Sequence, residues 1–141
     1  PEQTGRDNII LRAFFLGMSV PQAKALVPEI AEFSELGPYL DLPMRTYSSG
    51  MSLRLGFGVS TAVQPDIILM DEMISVGDVR FAGKAKARLQ KMMDQAGILV
   101  MASHSSATLR QYCDRGIWLK EGRIIADGPL DDILKQAHKS D

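Results

Sequence analysis

With 141 residues, 45% hydrophobic and 23% charged, the chain has the size and balance of one globular domain with a core of ordinary extent. Its 16 basic and 17 acidic residues leave a formal charge of -1, which provides no electrostatic footprint for nucleic acid or an acidic membrane surface. A single cysteine, Cys113, excludes an intrachain disulfide and suits a reducing compartment, where it would serve as a small core filler. No apolar run approaches the roughly 18 residues of a membrane span, and the N-terminus lacks the basic and apolar regions of a signal peptide. Pro1 as first residue reads as a chain cut from something longer.

In chain order, residues 1–5 read as a loop and Arg6 to Leu16 as a helix ending near Gly17. Ser19 is a good N-cap, with Pro21 in the first turn, for a helix to about Leu36. Ala23, Leu26, Val27, Ile30 and Phe33 recur along it at helical spacing, Pro28 kinks or splits it, and Gly37-Pro38 stop it. After Tyr47 a short polar loop leads into a helix over Met51 to Gln64. Its apolar face is Met51, Leu55, Val59 and Ala62, and the small Gly56, Gly58 and Ser60 admit a close backbone.

Pro65-Asp66 ends that helix. Ile67 to Met70 is a continuous apolar run, the pattern of a central parallel strand buried on both faces. A helix with Phe81, Ala85, Leu89 and Met92 inward and Lys84, Lys86, Arg88 and Lys91 on its other face comes next, then a second buried strand over Ile98 to Met101. Ser106 to Tyr112 is a short helix, Gly116 to Leu119 and Arg123 to Ala126 flank Glu121-Gly122 as a hairpin, and Asp127-Gly128-Pro129 caps a last helix to about Gln136. A helical N-terminal third followed by alternating strands and helices predicts a mostly parallel α/β sheet. The strand, glycine-rich turn and helix that usually open a nucleotide-binding α/β fold have no counterpart here, so the sheet reads as incomplete.

Three segments carry chemistry. Asp71-Glu72 places two carboxylates at the C-terminal end of a buried strand, where ligands bind in open α/β sheets. Ser48-Ser49-Gly50 offers a hydroxyl, a flexible backbone and the free N–H groups of a helix start, which favour an anion. His104, after the second strand, carries a ring that can donate to a phosphate oxygen. Taken singly, each also fits a plain role: solvated acids, a serine N-cap, a structural histidine.

Their order decides between the two. Thr46 to Met51 resembles the signature loop of ABC ATPases, Ile67 to Glu72 their Walker B strand, Ser75-Val76-Gly77-Asp78 their D-loop, and His104 their switch histidine. Residues 117–124 resemble the hairpin that follows that histidine, and residues 1–9 the segment just after the Q-loop. Ser49 and Met51 stand where glycine and glutamine are usual in the broad family. Tyr47 to Met51, Leu53-Arg54-Leu55 and the D-loop are similar to the branch that exports polysaccharide, O-antigen, capsule and teichoic acid.

The resemblance implies an incomplete P-loop NTPase sheet of the ABC type, with a helical subdomain over about 1–46 and the signature helix and C-terminal half of the α/β core over about 47–141. It implies ATP and Mg2+ as cofactors. Asp71 would face the metal and Glu72 and His104 would be catalytic. Ser48, Ser49, Gly50 and Met51 would meet the nucleotide, with Asp78 communicating across a dimer. The implied partners are a second ATPase subunit and membrane-spanning permease subunits, at the cytoplasmic face of a bacterial inner membrane, with no nucleic acid. The alternative is a soluble, non-transport ABC ATPase. No Gly-Lys-Ser or Gly-Lys-Thr occurs, and Gln3 comes too late to be the Q-loop glutamine, so the chain reads as a fragment expected to be inactive alone.

Overall fold

A computed structural model describes residues 2–71 and 79–138 of the chain. The expected D-loop, with Glu72 and Asp78, lies outside the described residues. By its internal contacts the chain divides into two units, residues 1–66 with 75–96 and residues 67–74 with 97–141.

The first unit is helical: α1 (Gly5–Phe15), α2 (Val20–Ala25), α3 (Val27–Ser34), α4 (Ser49–Ser60) and α5 (Val79–Gln95). Thr4 and Asp7 close a capping box at the start of α1. The Thr4 hydroxyl accepts from the Asp7 N–H at 3.1 Å, and the Asp7 carboxylate accepts from the Thr4 N–H at 3.2 Å. The hydrogen bond from the Thr4 side chain holds the Asp7 carboxyl below its ordinary pKa. The helix predicted over residues 19–36 is split at Leu26. Pro28 falls in the first turn of α3, where its missing N–H would have had no helical partner.

Glu35 (φ 58°) and Gly37 (φ 50°) end α3 in left-handed backbone. Two 3-10 turns, Gly37–Asp41 and Met44–Thr46, then lead to α4. Ile9, Ala13, Ala23, Val27, Ile30, Leu36, Leu40, Leu55 and Val59 form the buried core of this unit. Of the three small residues expected to admit a neighbour, Gly58 does so: a Cβ there would lie 3.1 Å from Phe33 and 3.3 Å from Ile30.

Phe81, Ala85 and Leu89 of α5 are buried, as the periodicity predicts. The opposite face is not wholly solvated. Lys84 Nζ donates to the Glu32 carbonyl at 3.0 Å and the Glu35 carboxylate at 3.1 Å, and Arg88 Nη2 donates to Glu29 at 2.6 Å. Both cations lie over the Phe33 ring, 5.4 and 4.5 Å from its centroid. Long aliphatic stems and charged heads let these side chains cover aromatic surface that a shorter polar residue would leave wet. Phe33, Phe57 and Phe81 form one cluster with centroids 5.2 to 6.3 Å apart.

The second unit holds β1 (Ile67–Asp71), β2 (Ile98–Ala102), α6 (Ser106–Tyr112), β3 (Arg115–Lys120), β4 (Arg123–Pro129) and α7 (Leu130–Ala137). β1 and β2 are parallel, with Ile67 opposite Ile98 and Asp71 opposite Ala102. They are not buried on both faces. Ile67, Leu69, Ile98 and Val100 are all more than half exposed, whereas Ile68 is 5% exposed. With period-2 geometry one face turns inward, and among the described residues nothing covers the other.

The hairpin is found as expected, Glu121 (φ 51°) and Gly122 (φ 74°) making the left-handed two-residue turn that matches strand twist. Arg115 grips Asp127 with two parallel N–H···O bonds of 2.7 and 2.6 Å, which lower the Asp127 pKa. Leu130 and Ile133 of α7 pack on β3 at Gly116, where a Cβ would meet them at 3.1 and 3.2 Å. Cys113 is half-buried rather than core. Burial first, and the Asp114 charge second, push its thiol pKa up and leave it a poor nucleophile.

Candidate functional site

In the second unit, Asp71 is the last residue of β1 and is exposed. The register sets it beside Ala102, the last residue of β2, and His104 follows two residues later, also exposed. Two adjacent parallel strands therefore deliver a carboxylate and an imidazole to the same, C-terminal, end of the pair. Ser105 continues the chain as the N-cap of α6, its Oγ accepting from the Thr108 N–H at 3.2 Å. That cap fixes the turn on which His104 stands.

In the first unit, Ser48 is the N-cap of α4. Its Oγ accepts from the Met51 N–H at 3.2 Å, and its carbonyl accepts the first bond of the helix, from Ser52 at 3.0 Å. The N–H groups of Ser49 and Gly50 precede that ladder and point along the helix axis toward its start. Ser48, Ser49 and Gly50 are exposed. Among the described residues, a Cβ built on Gly50 would find only Ser48 Oγ within 4 Å, at 3.9 Å.

The plain N-cap role and an anion-facing role are compatible for Ser48. The hydroxyl uses a lone pair on Met51 and keeps its proton to donate. Met51 is half-buried against the core of the unit, so its backbone, not its side chain, belongs to the exposed turn.

These donor sets fit Mg2+ and ATP. Magnesium takes oxygen ligands and is commonly held by one or two carboxylates together with substrate phosphates, a role that the exposed carboxylate of Asp71 suits. The open, cation-like start of α4 suits a phosphate. Among the described residues no group of three or more His, Cys, Asp or Glu forms a metal cage.

Sequence reasoning missed one contact. Tyr47, next to Ser48, donates its hydroxyl to the Tyr39 carbonyl at 2.7 Å and packs beneath Gly5, 42 positions away. Burial raises its phenol pKa, with the Asp41 charge adding to the effect. The signal in the sequence was a glycine at the first position of a helix, where glycine has no helical reason to be.

The fold of the whole chain matches solved nucleotide-binding subunits. An ATP-binding subunit of an ABC transporter superposes over 97% of the chain and 57% of its own with a TM-score of 0.70 and 27% identity. The chain is related to ABC transporter ATP-binding proteins. A dimeric ATP-binding cassette in a post-hydrolysis state, bound to ADP and Pi, shares the fold over 92% of the chain and 58% of its own, with a TM-score of 0.61 at 23% identity.

Curated relatives narrow the branch. The O-antigen export system ATP-binding protein RfbE of Yersinia enterocolitica is 45% identical over 95% of the chain. RfbB of Myxococcus xanthus, of the same description, is 40% identical over 96%, and the teichoic acids export ATP-binding protein TagH of Lactococcus lactis 38% over 96%. The chain spans 55%, 31% and 29% of these three relatives respectively. No family model matches the chain. Among the described residues no helix is long and apolar enough to cross a membrane.

Proposed function

We propose that the full-length protein bearing this segment hydrolyses ATP as the dimeric nucleotide-binding subunit of an ABC exporter, with a lipid-linked polysaccharide of the O-antigen kind as cargo. One observation carries the reading. Asp71 ends β1 opposite Ala102, and His104 follows Ala102 by two residues, at the C-terminal end of the parallel pair, in a chain 38–45% identical to export ATP-binding proteins. Magnesium, when bound, would neutralise phosphate oxygens, and Asp71 is the residue to hold it. Glu72 would orient and deprotonate the attacking water, and His104 would donate to the γ-phosphate. Ser48, Ser49, Gly50 and Met51 would close over the nucleotide of the other subunit, with Asp78 across the dimer.

Residues 1–46 would serve as the helical subdomain and 47–141 as the signature helix and C-terminal half of the α/β core. Membrane-spanning permease subunits would be the partners, at the cytoplasmic face of a bacterial inner membrane. An exposed apolar patch of Phe14, Phe15, Leu16 and Val20 supports a macromolecular partner for the helical unit.

The test is Glu72→Gln in the full-length subunit. Losing the carboxylate removes the base but not the nucleotide contacts, so steady-state ATPase should fall by about 100-fold or more while ATP affinity stays within about twofold. Undiminished turnover would sink the assignment.

A further inference from the structure

We propose that Tyr47 is a positioning residue for the phosphate-facing turn, anchoring the chain immediately ahead of Ser48–Gly50 to the start of α1 through a pocket that only a glycine at position 5 leaves open. The inference rests on the ATPase reading above. Residues on both sides of Tyr47 are held independently. Ahead of it, the segment 42–44 is laced to 3–5: the Gly5 N–H donates to Leu42 at 3.3 Å, the Met44 N–H donates to Gln3 at 2.9 Å, and Thr4 and Pro43 form an antiparallel bridge. Behind it, the Ser48 cap holds Met51. Tyr47 itself is held at two points: its backbone N–H donates to the Met44 carbonyl at 3.2 Å, and the phenol is the second. Its hydroxyl donates to the Tyr39 carbonyl at 2.7 Å.

Gly5 makes this seat possible. A Cβ there would overlap the Tyr47 hydroxyl oxygen, lie 3.0 Å from Cζ and 3.1 Å from Leu40 Cδ2. Gly5 is buried although it opens a helix, so its lack of a side chain serves the ring rather than backbone freedom. Tyr47 adjoins Ser48 directly, and Ser48, Ser49 and Gly50 beyond it are exposed. The ring therefore adds an anchor, beside the Ser48 cap and the buried Leu55 and Val59 of α4, that sets where the Ser48 hydroxyl and the Ser49 and Gly50 N–H groups aim. A turn displaced by about 1 Å is enough to cost about 100-fold in a step that depends on orientation.

The test uses the full-length subunit with Tyr47→Phe, Gly5→Ala and, as a matched destabilised control, Ile30→Val in the same core. Monomer affinity for MgATP, kcat, KM and melting temperature are measured for each, and ATP-driven dimerisation in a Glu72→Gln background. Tyr47→Phe should lower kcat about 5-fold, the loss of one hydrogen bond. Gly5→Ala should lower it about 100-fold. Both should leave monomer nucleotide affinity within about twofold and weaken dimerisation, while Ile30→Val keeps kcat at an equal loss of melting temperature. If kcat tracks melting temperature across all three variants, or Tyr47→Phe turns over like the parent, Tyr47 is ordinary core and the proposal is overturned. Absence of ATP hydrolysis by the unmodified full-length subunit is a different result: it removes the ATPase reading itself, and the positioning role falls with it.

Discussion

Ser48 shows how one side chain serves two ends. As N-cap it accepts from Met51, and its own proton stays available to an anion in front of α4. Gly50 shares that frontage, with open space where a Cβ would stand. Gly50→Asp should therefore fold normally yet place a negative charge where a phosphate must approach. Like-charge repulsion in a partly dry interface costs several kcal/mol. In the full-length subunit we expect near-normal nucleotide affinity for the monomer, with ATP-driven dimerisation and ATPase both lost. Titration calorimetry and size-exclusion chromatography separate the two. Weakened monomer binding with dimerisation spared would instead assign the turn to the subunit's own nucleotide.

Among the elements, α4 and α5 show what local pattern does and does not carry. Their buried faces follow from helical spacing: Leu55 and Val59 on one, Phe81, Ala85 and Leu89 on the other. The burial of Phe57 and the inward reach of Lys84 and Arg88 do not, because they depend on Phe33 standing opposite on α3. A charge run reads as a solvated face until a neighbour supplies aromatic rings and carboxylates. Phe81 is the joint of this arrangement, 1% exposed, edge-on to Phe33 and Phe57, with the Arg54 guanidinium 5.1 Å from its centroid. Phe81→Ala should destabilise the protein by about 3–5 kcal/mol, measured by urea unfolding, through lost burial and the cavity left behind. A change under about 1 kcal/mol would mean that α5 is not held by this cluster.

At the scale of the whole molecule, the chain has an apolar strand face turned to solvent and no phosphate-binding lysine motif. Most binding energy for a nucleotide triphosphate comes from a backbone nest and that lysine. The 141-residue chain alone is therefore expected to show no meaningful affinity for MgATP by calorimetry. Micromolar binding would overturn that expectation.

The sequence by itself determined the kind of protein. The spacing of signature turn, strand-end acids and post-strand histidine is a linear property, set by the lengths of the elements between them, and it pointed to the ABC fold that the solved structures share. Helix periodicity, the Glu121-Gly122 turn and the caps at Thr4, Ser19, Ser48 and Ser105 are local as well, decided by backbone sterics and hydrogen bonds within a few residues. Tertiary structure decided the rest. It exposed one face of β1 and β2, since burial depends on what lies above a strand and not on the strand's own residues. It also brought Gly5 beneath Tyr47, a steric match between residues 42 apart in sequence that neither residue announces, because close packing is a property of the pair.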